Sequence, residues 1–233
     1  MLVPLALVSC TSNNTINMNV VETAASGNLH AVKDDFQKSE QHSTVSIDTK
    51  KRKQTIIGFG GAFTESTAHN INLLSPENRT EIIDAYVGEE GAAYSLTRTH
   101  MNSCDFSVAN YSYTPVEGDT ALEHFSIEPD RADILPMIKD AQAVSKDGFK
   151  IFGSPWSAAP WMKDNNSYVG GKLKKEFYDT WALFFSKYVD AYRAEGIDIW
   201  GFTVENEPHG NGNNWESMHY SPEEMTDFVV NHL

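Results

Sequence analysis

The sequence predicts an α/β fold with a parallel sheet, and more specifically the first half of a (β/α)8 barrel, or TIM barrel, with about four βα units. Two observations lead to this prediction. Short apolar strand patterns alternate with longer helical patterns at spacings of roughly 35 to 50 residues, which is typical of βαβ units. Polar and aromatic residues follow several predicted strands, as in Arg98 to Asp105 and Ser154-Pro155-Trp156. This placement favours a barrel, because the active site of a barrel lies at the carboxyl ends of its strands.

The first predicted barrel strand is Thr55 to Gly60, a short apolar run that leads into a glycine-rich stretch, Gly58 to Gly61. A doubly wound sheet is the alternative architecture, and it would place a phosphate-binding loop after this strand. The glycines form neither a G-x-G-x-x-G motif nor a Walker loop, and no helix is predicted directly after them. The barrel is therefore the favoured interpretation.

The other barrel elements are predicted from caps and periodicity. Ser75 is the expected N-cap, and Pro76 the first residue, of a helix that runs to about Val87. Apolar residues recur at helical spacing from Arg131 to Lys146, which predicts a second helix. The remaining predicted elements are strands at 93–97, 149–153 and 197–204, a helix at 173–194 and a last helix capped by Ser221.

The number of predicted units is small for a complete barrel. A barrel needs eight βα units and usually about 250 residues. Only four units are predicted before Leu233, and half a barrel leaves two long unpaired strand edges, which natural proteins avoid. We therefore expect this chain to be the amino-terminal part of a longer protein.

The first ten residues resemble a bacterial lipoprotein signal. Leu2 to Val8 is apolar, and Leu7-Val8-Ser9-Cys10 resembles a lipobox, in which the cysteine is lipidated. The run is too short to span a bilayer as a helix, and it lacks a positively charged leading segment. We expect export as a bacterial secreted or cell-envelope lipoprotein with a lipid anchor at Cys10. A plain secretory remnant and a terminus that is not a signal are the alternatives.

Between this segment and the barrel lie two regions of different character. Residues 11–43 are rich in Asn, Thr, Ser and charged residues and show little periodicity, which predicts a flexible linker. Thr44 to Asp48 alternates polar and apolar residues, which predicts a half-buried strand. No segment of the sequence is long and apolar enough to predict a transmembrane helix.

The charge balance excludes some classes of partner. Among 233 residues, 32 are acidic and 18 are basic, so the formal net charge is −14. An acidic surface repels phosphate backbones and anionic lipids, and we expect no nucleic acid partner. This balance is compatible with a neutral substrate.

Cysteine and histidine provide no sign of a metal or of a disulfide framework. The two cysteines, Cys10 and Cys104, are too few for such a framework. Cys104 is interpreted as a small buried thiol. His69, His100, His209 and His219 do not have the spacing of metal ligands. No cofactor and no metal is therefore predicted.

The segment Thr203 to Pro208, with the sequence Thr-Val-Glu-Asn-Glu-Pro, is the most informative motif. Glu205 and Glu207 share a face if the strand continues that far, and Pro208 then ends the strand pairing. A carboxylic acid beside an amide at a strand end suits glycoside hydrolysis. The acid protonates the leaving oxygen, and the amide of Asn206 bonds the sugar's 2-OH. A surface loop with an incidental acid is the alternative for the motif alone.

Four motifs in order resemble glycoside hydrolase family 30, which includes lysosomal glucosylceramidase, its bacterial relatives and β-1,6-glucanases. The resemblance covers roughly Thr55 to Leu233. It implies a TIM barrel with a β-sandwich side domain, to whose first strands residues 44–55 would belong, and it assigns residues 56–233 to the barrel. The motifs are Gly58 to Glu65, Met101 to Ser107, Ser154 to Met162 and Thr203 to Pro208.

The resemblance also implies roles for individual residues. Glu207 corresponds to the acid/base, and Asn206 to the partner of the 2-OH. Asp105 and Trp156 correspond to residues that hold the sugar's distal hydroxyls, and Arg98 to one that orients the catalytic carboxylates. Core packing is the alternative for Trp156, and a barrel-interior ion pair for Arg98. Outer subsites or packing remain open for Trp161 and Trp215, and supporting or structural roles are expected for Glu65 and Glu205.

Family 30 enzymes are retaining, and their nucleophile is a second glutamate on the seventh barrel strand. Its carboxyl should lie about 5 to 5.5 Å from that of the acid/base. No residue of this chain matches it, so we expect the chain by itself to be inactive. The whole protein is predicted to cleave a β-glucoside or β-glucan, as a glucosylceramidase-like enzyme or a β-1,6-glucanase. A glycan-binding half-barrel without catalysis is the alternative.

Overall fold

The computed structural model describes residues 20–22, 25, 31–33, 46–209 and 214–233. The chain divides into two compact units, with the boundary after Gln54. In the first unit, β1 (Val20–Glu22) pairs with β2 (Ala31–Lys33) in an antiparallel arrangement. Cys10 and the lipobox-like segment lie outside the described residues.

The amino-terminal predictions need two corrections. β1 and β2 both lie within residues 11–43, where a flexible linker without strands was expected. Conversely, the strand predicted over Thr44 to Asp48 is missing from its described part, residues 46–48, and residues 49–55 contain no strand either. Alternating polarity predicts a strand only where a partner strand completes the hydrogen bonds. The side domain predicted for residues 44–55 therefore stays a prediction.

The second unit contains a four-stranded sheet. Its strands are β3 (Ala62–Phe63), β4 (Leu96–Met101), β5 (Lys150–Pro155) and β6 (Ile199–Phe202). They lie side by side in chain order, and every neighbouring pair is parallel. Parallel neighbours in chain order, joined through helices, are the arrangement of consecutive βα units in a TIM barrel. The predicted fold class, an α/β half-barrel of about four units, is confirmed.

In the part of the chain that the structure describes, five α-helices connect or follow these strands. α1 (Glu65–Asn72) and α2 (Pro76–Val87) lie between β3 and β4, and α3 (Ile134–Val144) lies between β4 and β5. α4 (Tyr178–Ala194) precedes β6, and α5 (Pro222–Asn231) follows it. None of the helices in the described ranges is long and apolar enough to cross a membrane.

The two helices with a Ser-Pro start begin where the sequence predicts. The Ser75 hydroxyl accepts a hydrogen bond from the Asn78 N–H at the start of α2. At the start of α5, Ser221 and Glu224 form a reciprocal capping box. Such caps satisfy backbone N–H groups that have no partner within the helix, and they therefore fix its first residue.

The core of this unit includes residues of the sheet and of several helices, and much of its aromatic part lies on α4. The Trp181 and Phe184 rings stack with centroids 4.4 Å apart, and Tyr113 stacks on Phe184 at 5.9 Å. Beside these rings lies Asp130, which is fully buried and accepts hydrogen bonds from three tyrosine hydroxyls. The donors are Tyr111, Tyr113 and Tyr192, at 3.0, 2.6 and 2.6 Å. This cluster ties the loop after β4 to the end of α4.

The start of the barrel differs from its prediction. Thr55 to Gly60 forms no strand, and regular pairing begins only at Ala62. The Ile56, Ile57 and Phe59 side chains are 65%, 57% and 70% exposed. In addition α1, which was not predicted, begins directly after β3. It buries only two of its residues, Ala68 and Ile71, so it lacks the apolar periodicity by which a helix is recognised.

Candidate active site

One serine hydroxyl at the carboxyl end of β5 contacts a side chain of β4 and the residue that follows β6. Ser154, at the end of β5, is fully buried, and its Oγ accepts hydrogen bonds from Arg98 Nε of β4 at 2.8 Å and from Thr203 Oγ1 at 2.7 Å. Thr203 directly follows β6. The hydroxyl therefore connects β5 to β4 and to the residue after β6. It also fixes the direction of the Arg98 side chain.

Arg98 also contacts the residues that the sequence predicts beside it. Its Nη2 donates to Asn206 Oδ1 at 2.7 Å, and its guanidinium lies 4.4 Å from the centroid of the Trp156 ring. The Asn206 N–H donates to the Pro155 carbonyl at 2.8 Å, which attaches the turn after β6 to the end of β5. Because Asn206 Oδ1 accepts from Arg98, the amide NH2 group is directed away from the guanidinium.

Two carboxylates influence Arg98 electrostatically. Burial lowers the pKa of Arg98, while the carboxylates of Asp105 and Glu207 act in the opposite direction. The Asp105 and Glu207 side chains are exposed, whereas Trp156 is only 8% exposed. The five predicted site residues are thus grouped on the side of the sheet where the carboxyl ends of the strands lie. They are Arg98, Asp105, Trp156, Asn206 and Glu207.

The condition under which Glu205 and Glu207 would share a face is not met. β6 ends at Phe202, so strand alternation does not continue to these residues. Glu207 has a φ of +48°, which is uncommon for a residue other than glycine. Glu205 is buried, and Glu207 is exposed. Residues in such backbone conformations concentrate at functional sites, where the surrounding structure holds them.

His100 supports the site without titrating near neutral pH. Its Nε2 accepts a hydrogen bond from the Glu65 N–H at 3.1 Å, so the ring hydrogen is on Nδ1, which donates to the Asn102 carbonyl at 2.6 Å. The ring meets Trp156 edge-on, with centroids 6.4 Å apart. Burial lowers the pKa of His100 from 6.5 to about 4. A neutral imidazole therefore joins the start of α1 to the end of β4.

The loop that carries Asp105 is fastened to α1. The Ser66 N–H donates to the Phe106 carbonyl at 2.8 Å, and Glu65 Oε2 accepts from the Val108 N–H at 3.1 Å. The first two residues of α1, Glu65 and Ser66, therefore hold the loop on both sides of Ser107. Since Asp105 lies in this loop, α1 restricts the positions that its carboxylate can reach.

The tryptophans of uncertain role differ in their surroundings. Trp161 is 7% exposed, its Nε1 donates to the Thr114 carbonyl at 2.9 Å, and its ring packs edge-on against Phe177. These contacts are those of core packing, the alternative considered for this residue. Trp215 is half-buried, next to a segment outside the described residues.

No metal site is formed by the described residues, in which no three His, Cys, Asp or Glu side chains are grouped as ligands. Cys104 is 2% exposed, and burial raises the pKa of its thiol to about 12. It is therefore a protonated, inert thiol, as the sequence predicts.

Sequence reasoning missed the residues that organise the site, although some were detectable. Ser154 is the first residue of the Ser154 to Met162 motif, and in the sheet it pairs with His100, two residues after Arg98. A small polar residue at the carboxyl end of a barrel strand is the available sign.

Comparison with known proteins assigns the chain to a family. The profile of the glycosyl hydrolase family 30 TIM-barrel domain matches residues 56–233. The chain belongs to glycosyl hydrolase family 30. Within this family, lysosomal acid glucosylceramidase of Mus musculus is 35% identical over 198 residues, which are 81% of this chain and 38% of that protein. The endo-1,6-β-D-glucanase of Neurospora crassa is 32% identical over 198 residues, or 82% and 41% of the two chains.

Solved family 30 structures match the fold as well. The structure of an endo-β1,6-glucanase is 31% identical with a TM-score of 0.74, covering 81% of this chain and 42% of that one. The chain spans about 40% of the length of these relatives. The predicted family and the barrel fold are both confirmed.

Proposed function

We propose that the protein containing this chain is a retaining glycoside hydrolase that cleaves β-glucosidic bonds, with Glu207 as acid/base. The observation that carries this proposal is the Arg98 guanidinium bonded to Asn206 Oδ1 and placed over Trp156, directly beside the Glu207 turn. It provides a fixed amide, an indole and a carboxyl group at the carboxyl edge of a barrel sheet, which is where barrel enzymes bind substrate.

Each group matches a step of glycoside hydrolysis. Glu207 would protonate the leaving oxygen and later take a proton from the attacking water. The Asn206 NH2, free to donate because Oδ1 is held by Arg98, would bond the sugar's 2-OH as charge develops at the anomeric carbon. The hydroxyls at the far side of the ring would meet the Asp105 carboxylate and the Trp156 indole.

Double displacement also needs a nucleophile. Its carboxylate has to lie about 5 to 5.5 Å from that of the acid/base, on the opposite face of the sugar. We propose that it is a glutamate on the seventh strand of the complete barrel. On this account the 233-residue chain alone does not hydrolyse a glycoside.

The preferred substrate is a glucosylceramide-like β-glucoside. A β-1,6-glucan is the second candidate, because endo-1,6-glucanases are among the relatives. A panel of aryl β-glucoside, glucosylceramide and β-1,6-glucan, given to the full-length protein, separates these candidates. Binding of glucan without release of sugar from any of the three would instead support the glycan-binding alternative.

The catalytic assignment is tested by Glu207→Gln in the full-length protein. The variant keeps the size of the side chain and removes its acidity, so hydrolysis of an unactivated glucoside should fall by roughly 10² to 10⁴-fold. Glu81→Gln, on the exposed surface of α2, is the matched control and should keep its rate. An unchanged rate in Glu207→Gln would overturn the assignment.

Export as a lipoprotein is a separate proposal that depends on the sequence alone. Leu7-Val8-Ser9 before Cys10 supports lipidation of that cysteine. Expression in a bacterium, followed by mass spectrometry of the mature amino terminus, should find diacylglycerol on Cys10, and Cys10→Ser should release the protein from the membrane fraction. An unmodified Cys10 in the mature protein would contradict this proposal.

A further inference from the structure

Asp130 is a buried carboxylate that the proposed mechanism does not use. It lies in a short 3-10 helix, Glu128–Arg131, shortly before α3, and it is fully buried. Its Oδ1 accepts from the Tyr111 hydroxyl at 3.0 Å, and its Oδ2 accepts from the hydroxyls of Tyr113 and Tyr192, both at 2.6 Å. A carboxylate has about four lone-pair sites and accepts all three hydroxyls, whereas the single oxygen of an amide accepts at most two.

The surroundings of Asp130 are polar hydroxyls inside an apolar core. Burial raises the pKa of Asp130 to about 6, and the hydrogen bonds from the three tyrosines act in the opposite direction. The other titratable groups that face it are Glu65, whose charge also raises this pKa, and Tyr188, whose ring centroid lies 4.3 Å from that of Tyr192. At neutral pH the side chain is therefore an ionised acceptor, and hydrogen bonds to an ionised group are shorter and stronger than neutral ones.

Two of the three tyrosines clamp the point at which the chain leaves β4. The Tyr113 N–H donates to Asn102 Oδ1 at 2.9 Å. The Tyr111 N–H donates to Ser103 Oγ at 2.9 Å, and the Tyr111 carbonyl accepts from the Ser103 N–H at 3.2 Å. Asn102 directly follows β4 and has a φ of +61°, so the chain changes direction here. Asp130 therefore holds this change of direction through two side chains.

The loop of residues 103–111, closed at its base by these bonds, carries Asp105. Inside the loop, the Cys104 N–H donates to Ser107 Oγ at 3.0 Å, and the Ser107 N–H donates to the Cys104 carbonyl at 3.0 Å. These two bonds form a tight turn around Asp105. The position of its carboxylate over the sheet therefore depends on how the base of the loop is held, in addition to the contacts with α1.

We propose that Asp130 is a positioning residue for sugar recognition, which holds the base of the loop 103–111 through Tyr111 and Tyr113 so that the Asp105 carboxylate meets the sugar hydroxyls. This inference rests on the proposed function, because Asp105 is taken there to bind the sugar. Asp130 is itself fully buried and does not touch substrate. Tyr192 donates to the same carboxylate from α4, outside the loop.

The test compares Tyr111→Phe with Tyr192→Phe in the full-length protein, because each variant removes one hydroxyl from Asp130 and keeps the ring. In Tyr111→Phe, kcat/KM for an aryl β-glucoside should fall by about tenfold, mostly through a higher KM, since a displaced Asp105 binds the sugar less well in all bound states. Tyr192→Phe should lower the Tm by a similar amount and leave kcat and KM unchanged. Equal kinetic losses in the two variants would show a role in stability alone and overturn the inference.

A double-mutant cycle with Asp105→Asn tests whether the effect passes through Asp105. If it does, adding Tyr111→Phe to the Asp105→Asn protein should change kcat/KM by less than about twofold, because the carboxylate that the loop presents is already removed. A full additional loss of about tenfold in that background would overturn the inference.

Hydrogen exchange of the peptide that covers residues 103–111 keeps the test independent of activity. Its amides should exchange faster in Tyr111→Phe than in the unmodified protein, and Tyr192→Phe should leave them unchanged. Unchanged exchange in Tyr111→Phe would overturn the inference. If the full-length protein cleaves no β-glucoside, the proposed function fails, while the exchange still decides whether Asp130 holds the loop. The two failures are therefore distinguishable.

Discussion

At the scale of single residues, Ser154 determines how Arg98 is oriented, since its hydroxyl accepts from Arg98 Nε and from Thr203 Oγ1. Ser154→Ala removes both bonds and leaves a hydrogen of the half-buried guanidinium without its partner. In the full-length protein we expect kcat/KM for a β-glucoside to fall by about 10 to 100-fold, with a loss of about 1 to 3 kcal/mol in the free energy of unfolding. Ser186→Ala, on the exposed face of α4, is the control. Equal kinetics in the two variants would show that Arg98 does not need this hydroxyl.

His100 gives a residue-scale prediction about acid stability. Its folded pKa of about 4 lies below the ordinary 6.5, so the folded state favours the neutral ring. The contribution of the neutral ring to the free energy of unfolding is therefore complete above pH 6.5. It is lost as pH falls towards 4, and the total loss is about 3 kcal/mol. Denaturant unfolding of the full-length protein between pH 7 and 4 should show this decrease, and His100→Gln should show a smaller one. Parallel pH curves for the two proteins would contradict a neutral buried His100.

At the scale of elements, β5 is packed closely against its neighbours at Gly153. A Cβ on Gly153 would lie 3.0 Å from Met101 Sδ, 3.2 Å from the Phe202 ring and 3.2 Å from the Tyr188 ring. Gly153→Ala should therefore destabilise the full-length protein by about 1 to 3 kcal/mol, as overpacked cores do.

Gly201 of the neighbouring strand β6 is the matched control for that substitution. A Cβ there would have no atom within 4 Å, so Gly201→Ala should be neutral or slightly stabilising. Thermal unfolding of both variants measures the difference. If the alanine at 153 were tolerated as well as the one at 201, the packing between β5, β6 and α4 would not be as close as described.

Sequence patterns predict some elements much better than others, for local physical reasons. The starts of α2 and α5 are predicted well, because Ser75 and Ser221 satisfy free N–H groups within their own turns. The observed limits of the strands differ from the predicted limits by several residues, because a strand ends where its neighbour stops pairing. The Thr55 to Gly60 run is apolar but lies outside the ladder.

The same distinction applies to the candidate site. Arg98, Trp156 and Asn206 were predicted to lie together, and the parallel sheet does bring them together. The difference in burial between Glu205 and Glu207 could not be predicted, because β6 ends before both residues and the backbone is left-handed at 207. The residue types at these positions indicate neither the end of β6 nor the left-handed backbone.

At the scale of the whole molecule, the four-stranded sheet has two edges, β3 and β6, with one neighbour each. Beside them Trp200 is 52% exposed and Phe59 is 70% exposed. Unpaired edges and apolar side chains promote association. The isolated 233-residue chain should therefore form oligomers in size-exclusion chromatography with light scattering. A monodisperse monomer with a sharp thermal transition would contradict this prediction.

The central claim is that Glu207 donates the proton to the leaving group, and its most direct test is the leaving-group dependence of Glu207→Ala in the full-length protein. With an unactivated alkyl β-glucoside, glycosyl transfer to the enzyme should slow by about 10³-fold or more. With a dinitrophenyl β-glucoside, which departs without protonation, that step should be nearly unaffected in a single-turnover measurement. Equal losses for the two substrates would contradict the assignment of Glu207 as acid/base.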